Sequence, residues 1–73
     1  MSALEAWLIA RVAAEAGLDP AAVDADTPVY RYGVDSRTLA FIVENAETVF
    51  CREADLDRIS PAETIRALAQ TLT

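Results

Sequence analysis

Leu4, Leu8, Val12 and Ala16 recur at every fourth position, the spacing that lines up one face of an α-helix. Ser2 and Glu5 have the capping-box spacing, in which each side chain satisfies a free N–H of the first turn. Gly17 suits the left-handed residue that closes a helix. A first helix is therefore expected over Ser2–Ala16. Trp7 falls to one side of the stripe and Ile9 to the other, and Trp7 is read as a flank that packs against the following loop.

The pattern then breaks. From Gly17 to Asp35 the chain reads GLDPAAVDADTPVYRYGVD, rich in turn residues, with Leu18, Val23 and Val29 as apolar anchors. Asp19 and Pro20 can open a single helical turn, because Pro is tolerated at the first helical position. A connection this long in so small a chain points to a working loop. Periodicity resumes over Ser36–Phe50. Leu39, Ile42, Val43, Ala46, Val49 and Phe50 share one side, and Arg37, Phe41, Glu44, Asn45 and Thr48 share the other.

Beyond Phe50, Leu56 and Ile59 are spaced for one short helix. Ser60-Pro61-Ala62-Glu63 repeats the capping-box logic with Pro at the first position, and Ile65, Leu68, Ala69 and Leu72 give a closing helix its apolar face. No segment alternates with period two for long enough to make a strand. The expected fold is all-α: a small bundle of three main helices and one short one, with a long loop between the first and second.

Composition fits one domain over residues 1–73. A chain this size buries only about 60% of its unfolded surface, and its 53% hydrophobic content is enough for one core but not for a core and a deep pocket together. Cys51 is the single cysteine, so no internal disulfide can form, and a reduced, cytoplasmic setting is expected. Cys51 itself reads as a small, half-buried residue after a helix. Neither a signal peptide nor a membrane span is expected. Met1 followed at once by a capping box leads us to expect a free-standing chain, and a monomer. Twelve acidic residues stand against six arginines and no lysine, for a net charge of −6. Nucleic acid is not an expected partner, since phosphate contacts need a basic stripe.

The most informative stretch is YGVDSRTL, where Gly33 and an Asp35-Ser36 pair stand at the mouth of the second helix. A nucleophilic serine needs a general base within reach, and the chain has neither histidine nor lysine. The G-x-S-x-G elbow and its sheet are also missing. No catalytic residue is expected, and no metal site, because the acidic residues do not follow a calcium-loop pattern. Asp35 or Ser36 is suited to cap the helix. Ser36 is also suited to be another enzyme's substrate, because a helix N-terminus favours an attached phosphate or phosphodiester.

GVDS resembles the G-x-D-S core of acyl carrier proteins, and the resemblance spans nearly the whole chain. GLDPAAVDADTPVYRYGVDS is similar to that family's loop from the first helix to the modified serine, ADLDRI to its short turn, and SPAETIRALAQTL to its closing helix. The resemblance implies a phosphopantetheine arm attached covalently to Ser36, with Asp35 as the acidic residue before it and Gly33 allowing the turn that presents both. It implies a carrier and not an enzyme, with thioester chemistry on the arm's terminal thiol and no part for Cys51. A phosphopantetheinyl transferase is the implied partner, followed by acyltransferase, ketosynthase or adenylation-type enzymes. Arg37 follows the serine where many relatives have Leu, and Phe41 stands where many have Glu. Arg37, Phe41, Glu44 and Thr48 are the expected partner-binding residues. These departures favour a dedicated carrier of polyketide or nonribosomal peptide assembly over a general fatty-acid role. A second reading, from a different class, is a helical adaptor with the carrier fold that works by surface contacts alone.

Overall fold

The computed structural model describes residues 2–72. Three α-helices, α1 (Ala3–Ala16), α2 (Ser36–Phe50) and α3 (Ile65–Thr71), are joined by one-turn 3-10 segments at Pro20–Ala22, Val29–Tyr32 and Leu56–Arg58. No strand occurs among the described residues, only an isolated antiparallel bridge between Pro28 and Thr64. The all-α bundle expected from the periodicity is what forms. Met1, which prompted the expectation of a free-standing chain, lies outside the described residues.

The ends of α1 fall where the sequence punctuates them. Ser2 Oγ accepts the Glu5 N–H at 3.1 Å, and Gly17 takes the left-handed conformation at φ 70°. The Leu18 N–H then returns to the Ala13 carbonyl at 2.9 Å, satisfying a carbonyl that the helix end leaves free. Leu4, Leu8, Ile9, Val12 and Ala13 are buried, and α1 packs against both α2 and α3. Trp7 departs from expectation. It packs edge-on against Phe50 at the end of α2, with ring centroids 6.0 Å apart. The Arg11 guanidinium covers the Trp7 ring at 5.1 Å, so the indole is enclosed by its own helix and the end of α2.

The long connection is part of the core. Val23, Ala25, Val29 and Val34 are buried, whereas the expected anchor Leu18 stays 42% exposed, carried outward by the turn at Gly17. Asp19 caps the predicted turn by accepting the Ala21 N–H at 2.8 Å. The turn at Val29–Tyr32 has no counterpart in the periodicity. Long-range bonds hold it: the Val29 N–H donates to the Glu63 carbonyl (3.0 Å) and the Tyr30 N–H to the Pro61 carbonyl (2.9 Å). Farther back, Arg66 grips Asp26 with two hydrogen bonds, Nε to Oδ1 at 2.7 Å and Nη2 to Oδ2 at 3.0 Å.

Those bonds explain why α3 begins late. Ser60–Glu63 forms a turn, with Ser60 Oγ accepting the Ala62 N–H at 3.1 Å, and does not start the helix as its capping-box pattern predicts. Thr64 is extended and caps α3 through the Ala67 N–H at 3.1 Å. The backbone of 61–64 is occupied with the loop. The expected short third helix is a single 3-10 turn with no buried residue, and Leu56 is 42% exposed. On α2 the buried face ends at Ala46. Val49 is 57% exposed, Phe50 is half-buried against Trp7, and Cys51 is exposed and not half-buried. Cys51 takes the left-handed conformation that ends α2, at φ 53°, which turns its side chain away from the core.

Candidate functional site

The chain reaches Ser36 through a short, well-fixed path. Tyr32 Oη accepts the Asp24 N–H at 2.8 Å, tying the loop to itself just before the turn. Gly33 follows at φ 81°, a conformation that costs an L-residue with a Cβ. Val34 is buried, Asp35 and Ser36 are exposed, and Leu39 is fully buried one turn on. Two core anchors thus bracket an exposed pair. The position of Ser36 is set by packing on either side.

Asp35 and Ser36 were equally suited to cap α2, and the structure separates them. Asp35 is the N-cap and accepts the Thr38 N–H at 2.8 Å. Hydrogen bonding from the Thr38 N–H and hydroxyl holds its carboxyl below the ordinary 3.8 against an opposing desolvation, with the Arg37 charge and N–H as lesser contributions. Ser36 is the first helical residue. Its hydroxyl makes no hydrogen bond among the described residues, so its oxygen is open to solvent and to an incoming enzyme.

Arg37, Phe41, Glu44 and Thr48 follow at spacings of four, three and four, and all four are exposed along one stripe of α2. Phe41 is 59% exposed, more than any other large apolar residue described. Asn45, placed on the same side by periodicity, is half-buried and donates its amide to the Phe41 carbonyl at 3.1 Å. One feature of the loop that precedes the serine has no counterpart in the sequence reading. Tyr30 is 53% exposed, and the Arg31 guanidinium lies over its ring at 6.0 Å. The signal for it was an aromatic-basic pair directly after a buried valine, in a loop whose turn was not anticipated. Neither Arg31 nor Arg37 forms an ion pair among the described residues; the pairs present are Arg58–Asp55 and Arg66–Asp26.

Cys51 belongs to the other end of the molecule. The 15 residues of α2 span about 22 Å, and the longest extent of the whole fold is 27 Å. A concavity of 240 Å³ lined by Leu4, Glu5, Phe50, Arg52 and Ala69 also lies at that far end. Neither shares a site with Ser36. No cluster of three or more potential metal-ligating side chains occurs among the described residues, and no helix there is long and apolar enough to cross a membrane.

The features brought together are an exposed serine hydroxyl at a helix start, a capping carboxylate before it, a left-handed glycine behind it and an exposed stripe beyond it. They suit covalent modification by a second protein. A protein-family model described as a phosphopantetheine attachment site matches residues 6–72. No curated protein and no solved structure matches the chain significantly.

Proposed function

The chain belongs to the family of phosphopantetheine-bearing acyl and peptidyl carrier proteins, and from that premise we propose that Ser36 is the residue that takes the arm. The observation that carries this is the division of labour at the start of α2. Asp35 does the capping, and the neighbouring hydroxyl is left exposed without a structural task.

The covalent step asks little of this chain. Ser36 Oγ forms the bond to phosphorus, its proton is taken up by the transferase, and the nucleotide half of coenzyme A leaves as that enzyme breaks the pyrophosphate. With no histidine or lysine in the sequence, the acid-base groups come from the partner. When attached, the arm supplies a terminal thiol that holds acyl or aminoacyl cargo as a thioester. Asp35 keeps the helix start formed, Gly33 keeps the turn open, and Val34 and Leu39 keep the root of the arm at a fixed place on the surface.

Residues 1–73 then act as one carrier domain, serving acyltransferase, ketosynthase or adenylation-type enzymes of polyketide or nonribosomal peptide assembly. Support for a dedicated carrier comes from the stripe Arg37, Phe41, Glu44 and Thr48. It carries an exposed aromatic of the kind that anchors an interface, and Arg37 is positioned to steer association through charge.

Intact mass tests the central assignment. Incubated with coenzyme A and a broad-specificity phosphopantetheinyl transferase, wild type gains one phosphopantetheine and Ser36→Ala gains none. Wild type that stays unmodified, under conditions that load a control carrier, favours the adaptor reading.

A further inference from the structure

Arg37 occupies the second position of α2, within the turn where the helix dipole is positive and a cation is locally disfavoured. Among the described residues nothing compensates it with a close ion pair; Asp35, the nearest carboxylate in sequence, is engaged with the Thr38 N–H. Attachment of a phosphodiester to Ser36 alters that balance. It puts a second anion one residue from the Asp35 carboxylate, at a helix end whose capping acceptor is already in place. Ser36 and Arg37 are adjacent in the first turn of α2 and both exposed, so the long, unpaired Arg37 side chain can reach an anion carried on Ser36, and its charge acts on the Asp35 carboxyl.

Resting on the assignment of Ser36 above, we propose that Arg37 is the counter-ion for the phosphodiester at Ser36, its guanidinium pairing with that anion and restraining the root of the arm. A guanidinium is the side chain best matched to paired phosphate oxygens. The other free arginine nearby, Arg31, lies over Tyr30 on the far side of the Gly33 turn. Arg37 is thus a positioning residue for the arm, disfavoured before attachment and favourable after it.

The test compares apo and loaded forms of the full chain, with loading confirmed by mass. At about 20 mM salt, the loaded-minus-apo difference in melting temperature should be about 1–5 °C more positive in wild type than in Arg37→Gln. The excess should shrink near about 0.5 M salt, where exposed charges are screened. Arg52→Gln, at the far end of α2, removes the same charge and should behave like wild type. The phosphorus NMR resonance of the diester should move at low salt in Arg37→Gln and not in Arg52→Gln. Equal melting differences in wild type and Arg37→Gln, or coincident resonances, on fully loaded proteins overturn the inference alone. Failure of wild type to gain mass overturns the Ser36 assignment, and this inference with it.

Discussion

At the start of α2, two neighbouring residues have similar capping ability, and the carboxylate is the one that caps. Its acid dependence follows from that. The folded-state pKa of Asp35 is lowered from 3.8 by the bonds to Thr38 and the charge of Arg37. The carboxylate's contribution to stability is therefore complete above 3.8 and is lost as pH falls through the lowered value. Asparagine caps helices about as well as aspartate but carries no charge. Asp35→Asn should melt slightly below wild type at neutral pH, and that gap should close in acid. Asp35→Ala, which removes the cap itself, should remain destabilised throughout. Melting curves between about pH 2 and 7 check both expectations, and a wild-type-to-Asn gap that does not change with pH would rule out a charge held by the fold. That Asp35 and Ser36 stand at the start of α2 was legible in the sequence. Which member of the pair capped the helix was not, because both have the chemistry and only the backbone geometry decides.

Helix boundaries were legible where local chemistry sets them and illegible where distant backbone does. Ser2 and Gly17 close α1 with their own side chain and conformation, and Asp35 opens α2 in the same way. The closing helix differs, because Ser60-Pro61-Ala62-Glu63 has a complete local signal yet begins no helix. The Pro61 and Glu63 carbonyls accept hydrogen bonds from Tyr30 and Val29, and Thr64 bridges Pro28. These partners lie more than thirty positions earlier, so no local window contains them. The same bonds create the Val29–Tyr32 turn, which is why both features escaped together. Substitution separates the two candidate caps. Thr64→Ala should cost about 0.5–2 kcal/mol through loss of the bond to Ala67. That corresponds to roughly 4–8 °C of melting temperature per kcal/mol in a domain of this size. Ser60→Ala should cost less, because its oxygen closes only a turn. The reverse ranking would return the start of α3 to Ser60.

For the whole molecule, α2 joins core and surface: Leu39, Ile42, Val43 and Ala46 are buried on one side, and Arg37, Phe41, Glu44 and Thr48 are exposed on the other. Phe41 and Ile42 are adjacent in sequence, yet Phe41 is 59% exposed and Ile42 is fully buried. The two substitutions therefore report on different properties of one helix. At typical densities of about 0.05–0.15 kcal/mol per residue, a chain this short has only roughly 4–11 kcal/mol of stability. Ile42→Ala removes about 2–5 kcal/mol of that, so it should leave the fold marginal and lower the melting temperature steeply. Phe41→Ala empties no cavity and should melt close to wild type. If Phe41 anchors a partner, its loss should weaken binding by about 1–2 kcal/mol or more, which at 1.4 kcal/mol per decade is roughly a five- to thirty-fold higher Kd. The measurement pairs melts with titration of loaded carrier against a cognate acyltransferase, ketosynthase or adenylation enzyme. A large drop in melting temperature for Phe41→Ala, with unchanged affinity in the folded fraction, would assign Phe41 to the core and remove it from the interface. Unchanged melting with unchanged affinity would move the interface off this stripe, leaving the exposed Tyr30 and Arg31 before the Gly33 turn as the next surface to substitute.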